Sequence, residues 1–113
     1  MKKTNTEQHL EQKMKERSYR VEYTLLDLAA EIAETIKSQR EAKGMSQSEL
    51  AHILQTKQSR VSQMEDPLYA RYSLSTLVKV ADALECRVSV DFMRDMRLKH
   101  RGRKSGNQSL TGA

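Results

Sequence analysis

Ser46 and Glu49 stand three residues apart, directly before the apolar pair Leu50-Ala51. This spacing marks a helix start: the serine oxygen accepts from the third helical amide while the glutamate reaches back to the serine amide. The helix carries Leu50, Ala51 and Leu54 to a break at Gln55-Thr56, after which Thr56 or Lys57 opens another holding Val61 and Met64. Pro67 ends that one, because its ring disfavours a helical conformation at Asp66. Upstream, Leu25, Leu28, Ala29, Ile32, Ala33 and Ile36 recur at three- and four-residue steps and predict a helix to Lys43, with Gly44 as its left-handed C-terminal residue. Downstream, Ser73 is placed to cap a helix with Leu74, Leu77, Val80, Ala81 and Leu84 on one face. Val88 and Val90 alternate with polar neighbours as a short strand does, and such a strand is marginal without partners.

The expected fold class is therefore all-α: a compact bundle of about five helices, with a short C-terminal strand available for dimerisation. Two short helices meeting at a tight turn between residues 46 and 65 form a helix-turn-helix, whose second helix can enter a groove about 12 Å wide. Ala51 falls where the two helices cross closely, and Leu50, Leu54, Val61 and Met64 supply their inner faces. The outer face of the second is left with Lys57, Gln58, Ser59, Arg60, Ser62 and Gln63. These are groups that bond to phosphates and base edges, glutamine suiting adenine and arginine suiting guanine.

Composition agrees with a polyanionic partner. The chain has 113 residues, room for one domain, and 20 Lys and Arg against 15 Asp and Glu leave it at +5. The excess is concentrated after Leu98, where Lys99, Arg101, Arg103 and Lys104 occur with no acid. The expected organisation is a disordered N-terminus over 1–8, a helix-turn-helix domain with an N-terminal helical extension over 9–98, and a basic flexible tail over 99–113. That tail suits a phosphate-tracking arm and a solubilising run equally well. One cysteine, Cys86, lies in an apolar run that suits a small buried thiol and excludes an internal disulfide. No apolar stretch approaches the roughly 18 residues that span a bilayer, so a cytoplasmic protein without a membrane role is expected. His9, His52 and His100 are scattered without metal-ligand spacing, and no nucleophile elbow, dinucleotide fingerprint, phosphate loop or H-E-x-x-H occurs. The expectation is a protein that is not an enzyme and uses no cofactor.

Arg40, Gly44, Met45, Ser46-Gln47, Glu49-Leu50-Ala51, Val61 and Glu65 together resemble the family of lambdoid phage repressors and xenobiotic-response-element regulators, over roughly residues 29–92. The resemblance implies that Arg40 and Glu65 form a structural ion pair and that Gln47 contacts the phosphate backbone. It further implies that positions Lys57, Gln58, Ser59, Arg60 and Gln63 read bases. With Thr56 at the turn, the candidate DNA-binding set is Gln47, Thr56, Lys57, Gln58, Ser59, Arg60 and Gln63. Two positions depart from the pattern. Gln55 replaces the usual turn glycine and must then adopt a left-handed conformation at a cost of about 1 kcal/mol. Asp66-Pro67 replaces Asn-Gly and leads into a longer, aromatic loop with Tyr69, Arg71 and Tyr72, to which the resemblance assigns no role.

The stretch from His9 to Tyr23 and the Cys86-Arg87-Val88-Ser89-Val90 end also look like HigA-type antitoxins of bacterial toxin-antitoxin pairs. That narrower resemblance implies a homodimer that represses its own operon on an operator palindrome and neutralises a ribonuclease toxin, with the amphipathic segment His9 to Leu28 as the toxin-facing candidate. Two other readings compete: a stand-alone regulator of a phage or mobile element, and a protein-interaction module that has lost DNA binding, its surface formed by the Tyr69 to Tyr72 loop and the N-terminal helix.

Overall fold

The computed structural model describes residues 5–96, leaving aside the side chains of Leu10, Lys13 and Met14. Within that span the chain is all-α, with four helices: α1 (Asn5–Ala42), α2 (Gln47–Leu54), α3 (Gln58–Met64) and α4 (Leu74–Ala83). These four fit the expected bundle of about five, the N-terminal extension and the first apolar-periodic helix being one element. No glycine or proline interrupts the 38 residues of α1, so nothing stops helix propagation between them. For the same reason residues 5–8, expected to be disordered, are helical from Asn5 onward. The basic tail over 99–113 lies outside the described residues.

Only the C-terminal part of α1 joins the core. Ala29, Ala33 and Ile36 are buried, and Ile36 forms a cluster with Leu50, Ala51, Val61, Met64, Val80 and Leu84. Leu50 and Val61 are completely inaccessible and Met64 nearly so, which places the centre of the core at the α2–α3 junction. Ala51 is buried there as its small size predicted. Leu25 and Leu28 lie on the α1 stripe but remain about half exposed, and Leu74, expected on the inner face of α4, is 65% exposed. The periodicity thus continues past the end of the surface it covers, because helices as short as α2 to α4 span only a few turns of α1.

The helix ends are closed by backbone geometry. The Ser46 hydroxyl accepts from the Glu49 amide while the Glu49 carboxylate accepts from the Ser46 amide, the reciprocal box expected from their spacing. Ser73 caps α4 by accepting from the Thr76 amide. At the other ends, three helices terminate in the same way, in a left-handed residue bracketed by a 5→2 and a 6→1 hydrogen bond. Gly44 (φ +66°) closes α1 through Gly44 N–H to Glu41 O and Met45 N–H to Arg40 O. Gln55 (φ 58°) closes α2 through bonds to His52 O and Thr56 N–H to Ala51 O, so the glutamine does take the strained conformation. Glu85 (φ 60°) closes α4 likewise, through Asp82 O and Cys86 N–H to Ala81 O.

Two sequence expectations beyond α4 are corrected. Val88 and Val90 form no strand among the described residues, since no second described segment supplies a ladder. Cys86 is exposed, not buried, because the left-handed turn at Glu85 carries the chain off the α4 face before the thiol is reached. Replacing Gln55 by glycine relieves the left-handed strain in the turn while keeping both closing hydrogen bonds. The expected outcome is a gain of about 1 kcal/mol, read as a rise of several degrees in the thermal unfolding midpoint.

Candidate nucleic-acid interface

The site is built outward from one buried ion pair. Arg40, in the last turn of α1, directs Nε to Glu65 Oε2 at 2.6 Å and Nη2 to Glu65 Oε1 at 2.9 Å, while Nη1 donates to Met45 O at 2.6 Å. The two side chains are only 9% and 4% exposed. A forked, two-bonded contact of this kind is the geometry in which arginine and carboxylate repay their loss of water. Burial works against the charged form of Glu65, but the Arg40 and Gln47 hydrogen bonds and the Arg40 charge outweigh it and hold the carboxyl below its ordinary range. The Arg40 guanidinium is correspondingly raised by its hydrogen bond to Glu65. The pair fastens the end of α1 to the end of α3, as the resemblance implied.

From Glu65 a chain of amides leads to the surface. Gln47 Nε2 donates to Glu65 Oε1 at 3.0 Å, and Gln47 Oε1 accepts from Gln58 Nε2 at 2.7 Å. Gln47, the half-buried first residue of α2, therefore has both ends of its amide oriented, and Gln58 at the start of α3 is aligned with it. A second link joins Arg60 Nη1 to Gln63 Oε1 at 2.7 Å, one turn along α3. Because Val61 and Met64 point into the core, Gln58, Ser59, Ser62 and Gln63 are turned outward on α3, with Arg60 half-buried at its flank. Thr56 and Lys57 are exposed in the turn, and Lys57 precedes the first turn of α3 without a side-chain cap. No hydrogen bond ties the side chains of Thr56, Lys57 or Ser59 to other described residues. The structure thus links Gln47 with Gln58 and Arg60 with Gln63, and leaves the remaining three candidates open to solvent.

The resemblance assigned the aromatic loop no role, and the structure supplies one. The Tyr72 hydroxyl donates to Met64 O at 2.6 Å, closing the C-terminal carbonyl of α3. Burial pushes the Tyr72 phenol up to about 12, so it stays a donor throughout the neutral range. Tyr69 meets Tyr72 edge-to-face with ring centroids 4.9 Å apart, and its hydroxyl accepts from Arg60 Nη1 at 2.9 Å. Both rings are half-buried against the core. The signal available in the sequence was an aromatic pair three residues apart right after a helix-ending proline, but nothing in that spacing says which side chain it would meet.

Among the described residues there is no group of three histidine, cysteine, aspartate or glutamate side chains that could hold a metal ion. No described helix is long and apolar enough to cross a membrane.

Residues 22–93 match a family described as a helix-turn-helix domain. The match covers well over half of the chain, and the chain belongs to this family. It contains the second part of α1, both helices of the motif, α4 and the segment that follows. No curated protein and no solved structure matches the chain. In helix-turn-helix domains generally, the second helix of the motif lies in the major groove of DNA and its N-terminal residues face the base edges. Here that helix is α3.

The depressed Glu65 carboxyl gives a signed expectation. Its contribution to stability is complete above the ordinary glutamate range, about 4.3, and is lost as the pH falls through its lower folded value. Glu65→Gln removes that component, flattening the acid limb of the stability curve. Arg40→Leu, which leaves the carboxylate buried and uncompensated, is expected to cost about 3 to 5 kcal/mol by urea unfolding at neutral pH.

Proposed function

We propose that this helix-turn-helix protein is a sequence-specific DNA-binding repressor, not an enzyme, acting in the cytoplasm as a homodimer on an operator palindrome. The observation that carries the reading is the Arg40–Glu65–Gln47–Gln58 chain, which holds polar side chains of α2 and α3 in fixed positions at the exposed start of α3. Polar side chains usually swing freely in water, and ordering them loses entropy that a solvated face has no reason to spend. In the proposed complex α3 enters the major groove, Lys57, Gln58, Ser59, Arg60 and Gln63 meet base edges, and Gln47 and Thr56 meet the phosphate backbone. Gln47 Nε2 gives one N–H to Glu65 and keeps a second for a phosphate oxygen, while Gln58 can leave Gln47 Oε1 for a base.

Dimer formation draws support from the segment that follows α4. Val90, Phe92, Met93 and Met96 are between 67% and 95% exposed, a run of large apolar side chains of the kind that marks an interaction site. A two-fold partner would cover such a segment, and palindromic sites require two-fold proteins.

Within this reading the protein is the antitoxin of a toxin-antitoxin pair that autoregulates its operon. The support is the long N-terminal part of α1, where Tyr19, Val21, Tyr23, Leu25, Leu26 and Leu28 are 45% to 71% exposed and stand clear of the core. Tyr19, Tyr23 and Leu26 share one face at i, i+4 and i+7, the anchor spacing by which a helix is captured in a protein groove. A stand-alone regulator shares α3 and lacks the stable protein partner, so co-purification from the native host separates the two.

Fluorescence-anisotropy titration on upstream promoter DNA against scrambled DNA tests the repressor reading. Promoter-selective, salt-dependent binding is the expected result, and equal weak binding to both removes it. Arg60→Ala or Gln58→Ala is expected to cost about 1 to 3 kcal/mol at one base pair per half-site, whereas Gln47→Ala weakens binding to every sequence.

A further inference from the structure

We infer that Tyr69, in the loop after α3, is a specificity-determining residue that positions Arg60 for one edge-on base contact. The inference rests on α3 being the DNA-reading helix. Arg60 Nη1 carries two N–H groups, and both have partners: Gln63 Oε1 at 2.7 Å and the Tyr69 hydroxyl at 2.9 Å. The guanidinium carbon lies 5.5 Å from the Tyr69 ring centroid, within range of the ring's attraction for a cation.

The tyrosine is itself held. Its hydroxyl proton goes to Arg71 O at 3.1 Å, which leaves an oxygen lone pair facing Arg60. Its ring is pinned edge-to-face by Tyr72, whose own hydroxyl is fastened to Met64 O at the end of α3. Tyr69 therefore moves with α3, although it is not part of it.

This arrangement determines which part of Arg60 remains for DNA. With Nη1 occupied, no described residue takes Nε or Nη2, and these form the side edge of the guanidinium. Two parallel N–H groups on one edge match the O6 and N7 acceptors of guanine. A mobile arginine would settle on phosphates or on several bases with little preference. Tethered at Nη1, it presents one edge in one plane, which raises selectivity at one base pair more than it raises total affinity.

The test uses the full chain and a duplex recovered by selection from a random DNA pool, with each base pair then changed in turn. Arg60→Ala identifies the base pair that Arg60 discriminates. Tyr69→Phe, which keeps the ring and loses the hydroxyl, is expected to lower discrimination at that base pair about three- to tenfold, leave it at the others, and have no further effect in the Arg60→Ala background. Unchanged discrimination, a uniform loss at all positions, or the same loss in the Arg60→Ala background overturns the inference. A wild-type protein that binds every duplex alike overturns the reading of α3 itself, and the role of Tyr69 with it. A second measurement needs no DNA: Arg60 should show separate Nη1 and Nη2 resonances by ¹⁵N NMR in the wild type, exchanging faster in Tyr69→Phe, where Gln63 alone holds Nη1. Merged resonances in the wild type contradict the tether.

Discussion

The forked bond between Arg40 and Glu65 is the constraint on which the rest of the motif depends. It joins residues 25 positions apart and fixes the end of α1 against the end of α3, with the third arginine nitrogen holding the Met45 carbonyl at the entrance to α2. A buried charge pair is a poor source of stability unless every donor and lone pair is used. Here the arginine bonds from all three nitrogens, and Glu65 Oε1 also accepts from Gln47. The interaction that costs most to assemble is thus the one that orients the first side chain of the proposed interface.

Around that pair, three helices of only 8, 7 and 10 residues must hold together. Isolated helices of this length are unstable in water, so their persistence comes from closed ends and a shared core. Leu50, Val61 and Met64 provide the core, Ser46 and Ser73 close two starts, and left-handed residues at 44, 55 and 85 close three ends. Only the first of these is glycine. The strain at Gln55 falls inside the turn between the two helices of the motif, and the buried contacts on either side of it exceed that cost.

Much of this architecture was legible in the residues themselves because it depends on local chemistry. Ser46 with Glu49, Ser73, Gly44 and the small Ala51 each have one physical role at their spacing, and each is found in it. The left-handed Gln55 was expected from its place in a recognisable motif. What local patterning could not reach was decided by distant surfaces. The apolar stripe of α1 runs on through Leu25 and Leu28, yet where burial stops depends on how far the small helices extend. Val88 and Val90 alternate as a strand does, but a strand exists only with a neighbour, and Cys86 is turned outward by a left-handed Glu85 that no local signal announces. The tyrosine loop was opaque for a similar reason: the contact between Tyr69 and Arg60 closes only after α3 is docked.

On this reading α3, held by the Arg40–Glu65 pair, is the surface that meets DNA. The most direct test is a ¹H–¹⁵N NMR titration of the full chain with its promoter duplex. The largest amide shifts are expected at Gln47 and from Thr56 to Gln63, with the exposed turns of α1 around Tyr19 and Tyr23 unmoved. Shifts confined to α1, or none at saturating duplex, would contradict it.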